Sequence, residues 1–128
     1  VGAGARYLVS PGTPPALACA LAAAGVPAVP GCATVSEAMA LADLGFRVLK
    51  FFPAEASGGI GWLKAVAGPL PCLSFCPTGG IDARNAAAYL ALPNVSAVGG
   101  SWVAPQQAIA AGDFARIGAL ARAAAAIA

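Results

Sequence analysis

The chain has 128 residues, 59% of them apolar and 9% charged, with seven Lys+Arg against five Asp+Glu for a net charge of +2. That length suits one domain spanning residues 1–128 and leaves no room for two. The basic residues form no cluster, so no nucleic-acid partner is expected. Much of the apolar excess is alanine, as in ALACALAAAG and ARAAAAIA, which adds little buried area, so the core has to come from the few Leu, Val, Ile and Phe.

In chain order, Arg6 to Val9 reads as a strand, and Pro14 to Ala24 as a helix that opens on prolines and stops at Gly25. Ala28 to Val29 is a second strand. Thr34 and Glu37 form a capping box for a helix over Val35 to Leu44, ended by Gly45. Phe46 to Phe52 is the next strand, Ile60 to Ala67 a helix stopped by Gly68 and Pro69, and Leu73 to Cys76 a fourth strand. Asp82 is placed to cap a helix over Ala83 to Leu92, Ser96 to Val98 is a fifth strand, Pro105 to Ala111 a short helical turn, and Asp113 caps Phe114 to Ala126. Five alternations of strand and helix predict a parallel α/β architecture. At about 26 residues per unit, a closed eight-unit barrel would need about 200, so the count fits either an open doubly wound sheet or five-eighths of a barrel.

A mean hydropathy of +0.80 raises the membrane question, and residues 7–36 and 85–112 are both free of charge. Pro11, Pro14, Pro15, Pro27 and Pro30 break the first stretch, and Pro93, Gly99, Gly100 and Pro105 break the second, so no membrane partner is expected. The opening VGAGARYLVSPG lacks the regions of a signal peptide and reads as the middle of a longer pattern. Cys19, Cys32, Cys72 and Cys76 include no CxxC pair and the chain has no histidine, which predicts four buried free thiols in a reducing compartment and no zinc.

In parallel α/β folds chemistry gathers where strands hand over to loops at their carboxyl ends. Here those segments are SPGT, PGCAT, KFFPAE, CPTGGID and VGGSW. Lys50 is the one ionisable group within a strand end. Alternation puts Val48, Lys50 and Phe52 on one face, and if that face is a barrel interior, desolvation favours the neutral amine, the nucleophile needed to form a Schiff base with a carbonyl substrate. The alternative is a lysine that snorkels out of the sheet or pairs with Glu55. Thr78, Gly79 and Gly80, then Gly99, Gly100 and Ser101, place a glycine pair beside a hydroxyl at the ends of two consecutive strands. Glycines let backbone amides approach a phosphate closely, although the same residues would also serve tight turns.

Taken together, SPGT, PGCATVSEA, LKFFPAEASGG, FCPTGGI and VGGSW resemble the carboxyl-terminal part of the bacterial 2-keto-3-deoxy-6-phosphogluconate (KDPG) and 4-hydroxy-2-oxoglutarate aldolases, class I aldolases of the Entner–Doudoroff pathway. The resemblance runs essentially end to end. It implies a (β/α)₈ TIM barrel, here with about five βα units (strands 4 to 8) and the first three missing. It also implies a cytoplasmic homotrimer that cleaves KDPG to pyruvate and glyceraldehyde 3-phosphate with neither metal nor other cofactor. Residue by residue, Lys50 matches the Schiff-base lysine and Phe52 an aromatic beside the pyruvyl group. Pro11 matches a residue at the pyruvate end, and Thr78, Gly79, Gly80 and Ser101 match positions around the phosphate and polar tail. KFFPAE and CPTGGI favour the gluconate enzyme over its galactonate relative.

The family's acid/base glutamate, a neighbouring arginine and a threonine belong to the three missing units, and Glu55 is no replacement. Loss of such a group typically lowers turnover by about 10²- to 10⁴-fold. The alternative function is a non-catalytic fragment of the same barrel that binds phosphate or self-associates. A phosphate-binding isomerase is a third class, disfavoured by the missing histidine. A partial barrel has open edges, so association, loose order over Val1 to Arg6, or both are expected.

Overall fold

Burial alternates along the segment VLKF: Leu49 and Phe51 are fully buried, Lys50 is half-buried and Val48 is exposed. This is the period-2 signature of a strand with one covered face. The computed structural model, which describes residues 2–127, has five short strands among its helices: β1 (Leu8–Val9), β2 (Ala28–Val29), β3 (Gly31–Cys32), β4 (Val48–Phe51) and β5 (Ser74–Pro77), with β3 following β2 directly. The helices are α1 (Pro15–Ala22), α2 (Val35–Asp43), α3 (Gly59–Val66), α4 (Ala86–Leu90), α5 (Gln106–Ala110) and α6 (Phe114–Ala125), with 3₁₀ turns at Glu55–Ser57 and Ser101–Val103. None of these helices is long and apolar enough to cross a membrane.

The expected barrel class is corrected by this arrangement. The described residues form no closed barrel, only two small parallel sheets, β1-β2 and β3-β4-β5. Three local causes limit the sheet. Pro30 has no N–H to give to a ladder and separates β2 from β3, although its carbonyl still accepts from the Lys50 amide at 2.8 Å. The ladder also starts short, since β1 comprises only Leu8 and Val9. The fifth expected strand, Ser96 to Val98, does not form: isolated parallel bridges join Phe75 to Val95 and Thr78 to Gly99 on either side of it. Closing a sheet needs strands enough to bring its edges together, about eight in the smallest such barrels, and nothing here approaches that number.

The core lies between the β4–β5 ladder and its helical layer. Leu49, Phe51 and Phe75 meet Leu63 and Val66 of α3 and Ala86 and Tyr89 of α4 in one buried cluster. Trp62 stacks on Phe51 with ring centroids 4.2 Å apart and meets Phe75 edge-on at 5.4 Å, both favourable aromatic geometries.

Helix ends follow local chemistry. The Thr34 side chain accepts from the Glu37 amide at 3.2 Å, while the Glu37 carboxylate accepts from Ala33 and Thr34 at 2.8 and 2.9 Å, completing the capping box. Asp113 accepts from the Arg116 amide at 3.0 Å, as expected of a cap. Asp82 does not cap its helix. Its carboxylate is taken by the Arg84 amide and guanidinium, and α4 begins only at Ala86. The expectation of four buried thiols also fails: Cys32 is buried and Cys76 half-buried, but Cys19 and Cys72 are exposed. Of the segment expected to be loosely ordered, Val1 lies outside the described residues, and residues 2–6 carry only turns and bends before β1.

Two outcomes follow from this packing. Phe75→Ala should lower unfolding free energy by about 3–5 kcal/mol in urea titrations, through lost transfer energy and the cavity left against Trp62. The backbone amide of Ala33, then those contacts made with Thr34, hold the Glu37 carboxyl below its ordinary range against a smaller opposing effect of burial. A depressed carboxyl pKa stabilises the fold above the unfolded value, about 4.3, and that contribution fades as pH falls through the folded value. Glu37→Gln should therefore flatten the acid limb of a stability-versus-pH curve below about pH 4.5.

Candidate active site

The same alternation that buries Leu49 and Phe51 puts Lys50 on the uncovered face of the β3-β4-β5 sheet, in register with Gly31 on one side and Cys76 on the other. Its ammonium lies 4.8 Å from the centroid of the Phe52 ring, within cation–π range. It does not pair with Glu55: among the described residues the one ion pair joins Arg84 to Asp82 at 2.6 Å, on the surface. Nor does it face a competing thiolate. Burial raises the Cys76 pKa, more than Lys50 and a hydrogen bond with Thr78 lower it. Burial, with the Glu37 charge second, pushes the Cys32 thiol up to about 12. Both sulfurs are held as the protonated, weakly nucleophilic form.

The end of β1 is packed against β3, the strand beside Lys50. A side chain at Gly31 would lie 2.3 Å from the carbonyl carbon and oxygen of Pro11, so only glycine lets the Ser10–Pro11 segment lie against β3. A hydroxyl pair fastens the contact. Ser10 and Thr13 are 2.9 Å apart, Thr13 donates to the Gly31 carbonyl at 3.0 Å, and the Gly31 amide donates to Ser10 at 3.3 Å. Pro11 is thereby placed one strand away from Lys50.

On the other side, β5 runs into Thr78, Gly79 and Gly80. Both glycines have positive φ, +97° and +79°, which side-chain-bearing residues rarely adopt. The Thr78 amide donates to the Phe51 carbonyl at 2.9 Å, and the Ala54 and Glu55 amides donate to Thr78 and Gly79 at 2.8 and 3.1 Å. The Phe52 ring edge comes within 3.2 Å of the position a Cβ would take on Gly79. One aromatic ring therefore spans from the lysine to the glycine turn.

Gly99 sits beside the Thr78 hydroxyl and donates to Pro77 at 2.9 Å, Gly100 lies against the Trp102 ring and the Ile81 carbonyl, and Ser101 opens an exposed 3₁₀ turn. The Gly80, Gly100 and Ser101 amides have no acceptor among the described residues. Of the nine residues singled out from the sequence, Pro11, Lys50, Phe52, Thr78, Gly79 and Gly80 fall at the ends of β1, β4 and β5, and the Gly99–Ser101 segment meets them through the bridge of Gly99 to Thr78. A hollow of about 760 Å³ between α1 and α2 lies elsewhere. It is lined mainly by apolar residues such as Ala18, Leu41 and Leu44, and its one ionisable carboxylate, Glu37, is occupied by the capping box.

Sequence reasoning missed two features. The Ser10–Thr13 hydroxyl pair was readable in SPGT only as a polar strand end. The buried Tyr89 hydroxyl donates to the Glu55 carboxylate across 34 residues of separation, and no local pattern announces that contact.

The profile of the KDPG and KHG aldolase family matches residues 1–120. The 2-dehydro-3-deoxy-phosphogluconate aldolase of Dickeya dadantii is 51% identical over 120 residues, 94% of this chain and 56% of that protein. The structure of a Legionella pneumophila KDPG aldolase, in which pyruvate was captured as a covalent carbinolamine intermediate, is 46% identical, with a TM-score of 0.93 over 96% of this chain and 60% of the other. The Zymomonas mobilis ZM4 KDPG aldolase, solved with 3-phosphoglycerate, is 41% identical, with a TM-score of 0.91 over 99% of this chain and 59% of the other. The chain spans a little over half the length of these relatives. On the match to residues 1–120 and these identities, it belongs to the KDPG and KHG aldolase family.

Proposed function

We propose that this chain carries the Schiff-base half of a class I aldolase that cleaves 2-keto-3-deoxy-6-phosphogluconate to pyruvate and glyceraldehyde 3-phosphate. The observation that carries the reading is Lys50: a half-buried lysine without a carboxylate partner, on an open sheet face whose β5 side leads into two loops with free backbone amides. The amine attacks the C2 keto carbon to give a carbinolamine, and loss of water gives the protonated imine. As the C4 hydroxyl gives its proton to water, the electron pair of the C3–C4 bond passes to the imine and the aldehyde leaves with the phosphate. The resulting enamine takes a proton at C3, and water then hydrolyses the imine, releasing pyruvate and regenerating Lys50. Pyruvate was captured on the Legionella relative as a carbinolamine, the kind of species through which the closing hydrolysis of the pyruvyl imine would pass.

In this reading Phe52 lies beside the pyruvyl group and Pro11 closes that end. Thr78, Gly79, Gly80, Gly99, Gly100 and Ser101 receive the phosphate and polar tail through backbone amides and hydroxyls. Glu55, engaged by Tyr89, takes no part in proton transfer. The substrate is a small phosphorylated keto acid, the place of reaction the cytoplasm, and the working form an assembly of copies. Exposed Tyr7, Val9 and Val48 favour that assembly.

The test is irreversible trapping. Pyruvate with borohydride should add one reduced pyruvyl group to Lys50, located by mass spectrometry, and Lys50→Ala should abolish it; absence of the adduct, or an equal adduct in the variant, rejects the reading. Turnover of the phosphorylated keto acid by these 128 residues is expected to fall about 10²- to 10⁴-fold below that of the longer relatives, for want of an assigned acid/base. Assembly should appear as a sedimentation coefficient that rises with concentration, whereas one monomeric species at all concentrations rejects it.

A further inference from the structure

We propose that Tyr89 and Glu55 are a positioning pair that holds the Gly79–Gly80 turn in its anion-receiving shape from behind, without touching the substrate. This rests on the reading of that turn as part of a phosphate site. Tyr89 is fully buried on α4, and its hydroxyl donates to a Glu55 carboxylate oxygen. A buried hydroxyl without an acceptor is costly, so Glu55 is held where it can accept.

Glu55 in turn bears on the turn at two points. Its amide donates to the Gly79 carbonyl at 3.1 Å, and its stem lies where a Gly80 side chain would be, with Cγ 2.5 Å and Cβ 2.7 Å from that position. Gly59 completes the packing, since a Cβ there would come within 2.9 Å of the Tyr89 hydroxyl and 3.2 Å of the Glu55 carboxylate.

The helix holds the same turn a second way. Asn85, four residues before Tyr89, donates from its side-chain amide to the Gly80 carbonyl at 2.9 Å and accepts from the Asp82 amide at 2.9 Å. Asn85 therefore reaches the turn directly and Tyr89 reaches it through Glu55. The turn's two strained glycines are fixed by α4 on one side and by the segment after Lys50 on the other. Burial and the neighbouring Glu55 keep the tyrosine protonated throughout the neutral range, so the donor is always present.

The pair should set the affinity for the phosphate end and leave the chemistry at Lys50 alone. Tyr89→Phe keeps the ring in the core and removes only the hydroxyl, Glu55→Gln keeps the stem and an acceptor oxygen, and Glu55→Ala removes both. Inorganic phosphate, titrated against the Gly79 and Gly80 amide resonances, should bind Tyr89→Phe and Glu55→Ala about tenfold more weakly, the worth of one lost hydrogen bond to a charged group. Glu55→Gln should recover part of the loss. Trapping of pyruvate at Lys50, which needs no phosphate, should stay within about twofold of the parent.

Unchanged phosphate affinity in Tyr89→Phe overturns the pair, as does a parallel fall in phosphate affinity and trapping, which would mark a general loss of structure. A parent whose glycine amides do not respond to phosphate overturns it too. A parent that binds phosphate at these amides but traps no pyruvate overturns the Lys50 reading alone, and the phosphate comparison then supports or rejects the pair by itself.

Discussion

The rest of the structure depends on the one-sided burial of the β4–β5 ladder. Leu49 opposes Phe75, and Phe51 opposes Pro77, and these four residues are fully or nearly fully buried against the helical layer. The stack of Trp62 on Phe51 fixes which face that is. Because side chains alternate strictly along a strand, this burial sets the orientation of the residues between them, and Lys50 and Cys76 are turned to the other face together. A slip of one residue would bury the ammonium among Leu63 and Val66 and expose the aromatics. The free energy that holds the fold together and the geometry that presents the nucleophile are therefore one constraint.

Around that ladder, the loops approach one another through positions that cannot carry a side chain. Gly31 brings Pro11 against β3, and the Gly79–Gly80 turn accommodates the Phe52 ring and the Glu55 stem. Three backbone amides in these loops, those of Gly80, Gly100 and Ser101, have no acceptor among the described residues. Preorganised dipoles of this kind stabilise an anion without the reorganisation that water would need. Flexible surface loops would not hold them there, and the hydrogen bonds from Ala54, Glu55 and Asn85 supply the restraint.

What was legible in the sequence was what local chemistry decides. Proline opens α1, the Thr34–Glu37 box opens α2 and Asp113 opens α6, each within a few residues of the expected boundary. The alternation that sets Lys50 apart from Leu49 and Phe51 was visible for the same reason. The fifth strand was not, because a run as short as Ser96 to Val98, between Pro93 and the Gly99–Gly100 pair, becomes a strand only if a neighbour completes its ladder, and Phe75 and Thr78 supply only single bridges. Asp82 went astray because a partner two residues away, Arg84, outcompeted the helix amides for its carboxylate. Counting repeats carried no information on closure, so the expected barrel gave way to two short sheets. The contact between Tyr89 and Glu55 joins residues 34 apart and depends on where two loops meet in space.

The scarcity of charge also explains why Lys50 stands alone. There are five carboxylates in the whole chain. Glu37 is occupied by the amides of its capping box, Asp113 by the Arg116 amide, Asp82 by Arg84 and Glu55 by Tyr89. Asp43, in the last turn of α2, is exposed on the helical side of the molecule, away from the open sheet face. Among the described residues none of the five is paired with the lysine, whose ammonium lies over the face of Phe52. The chain's few acids are spent on caps and turns, and the sheet face that carries the nucleophile is left without one.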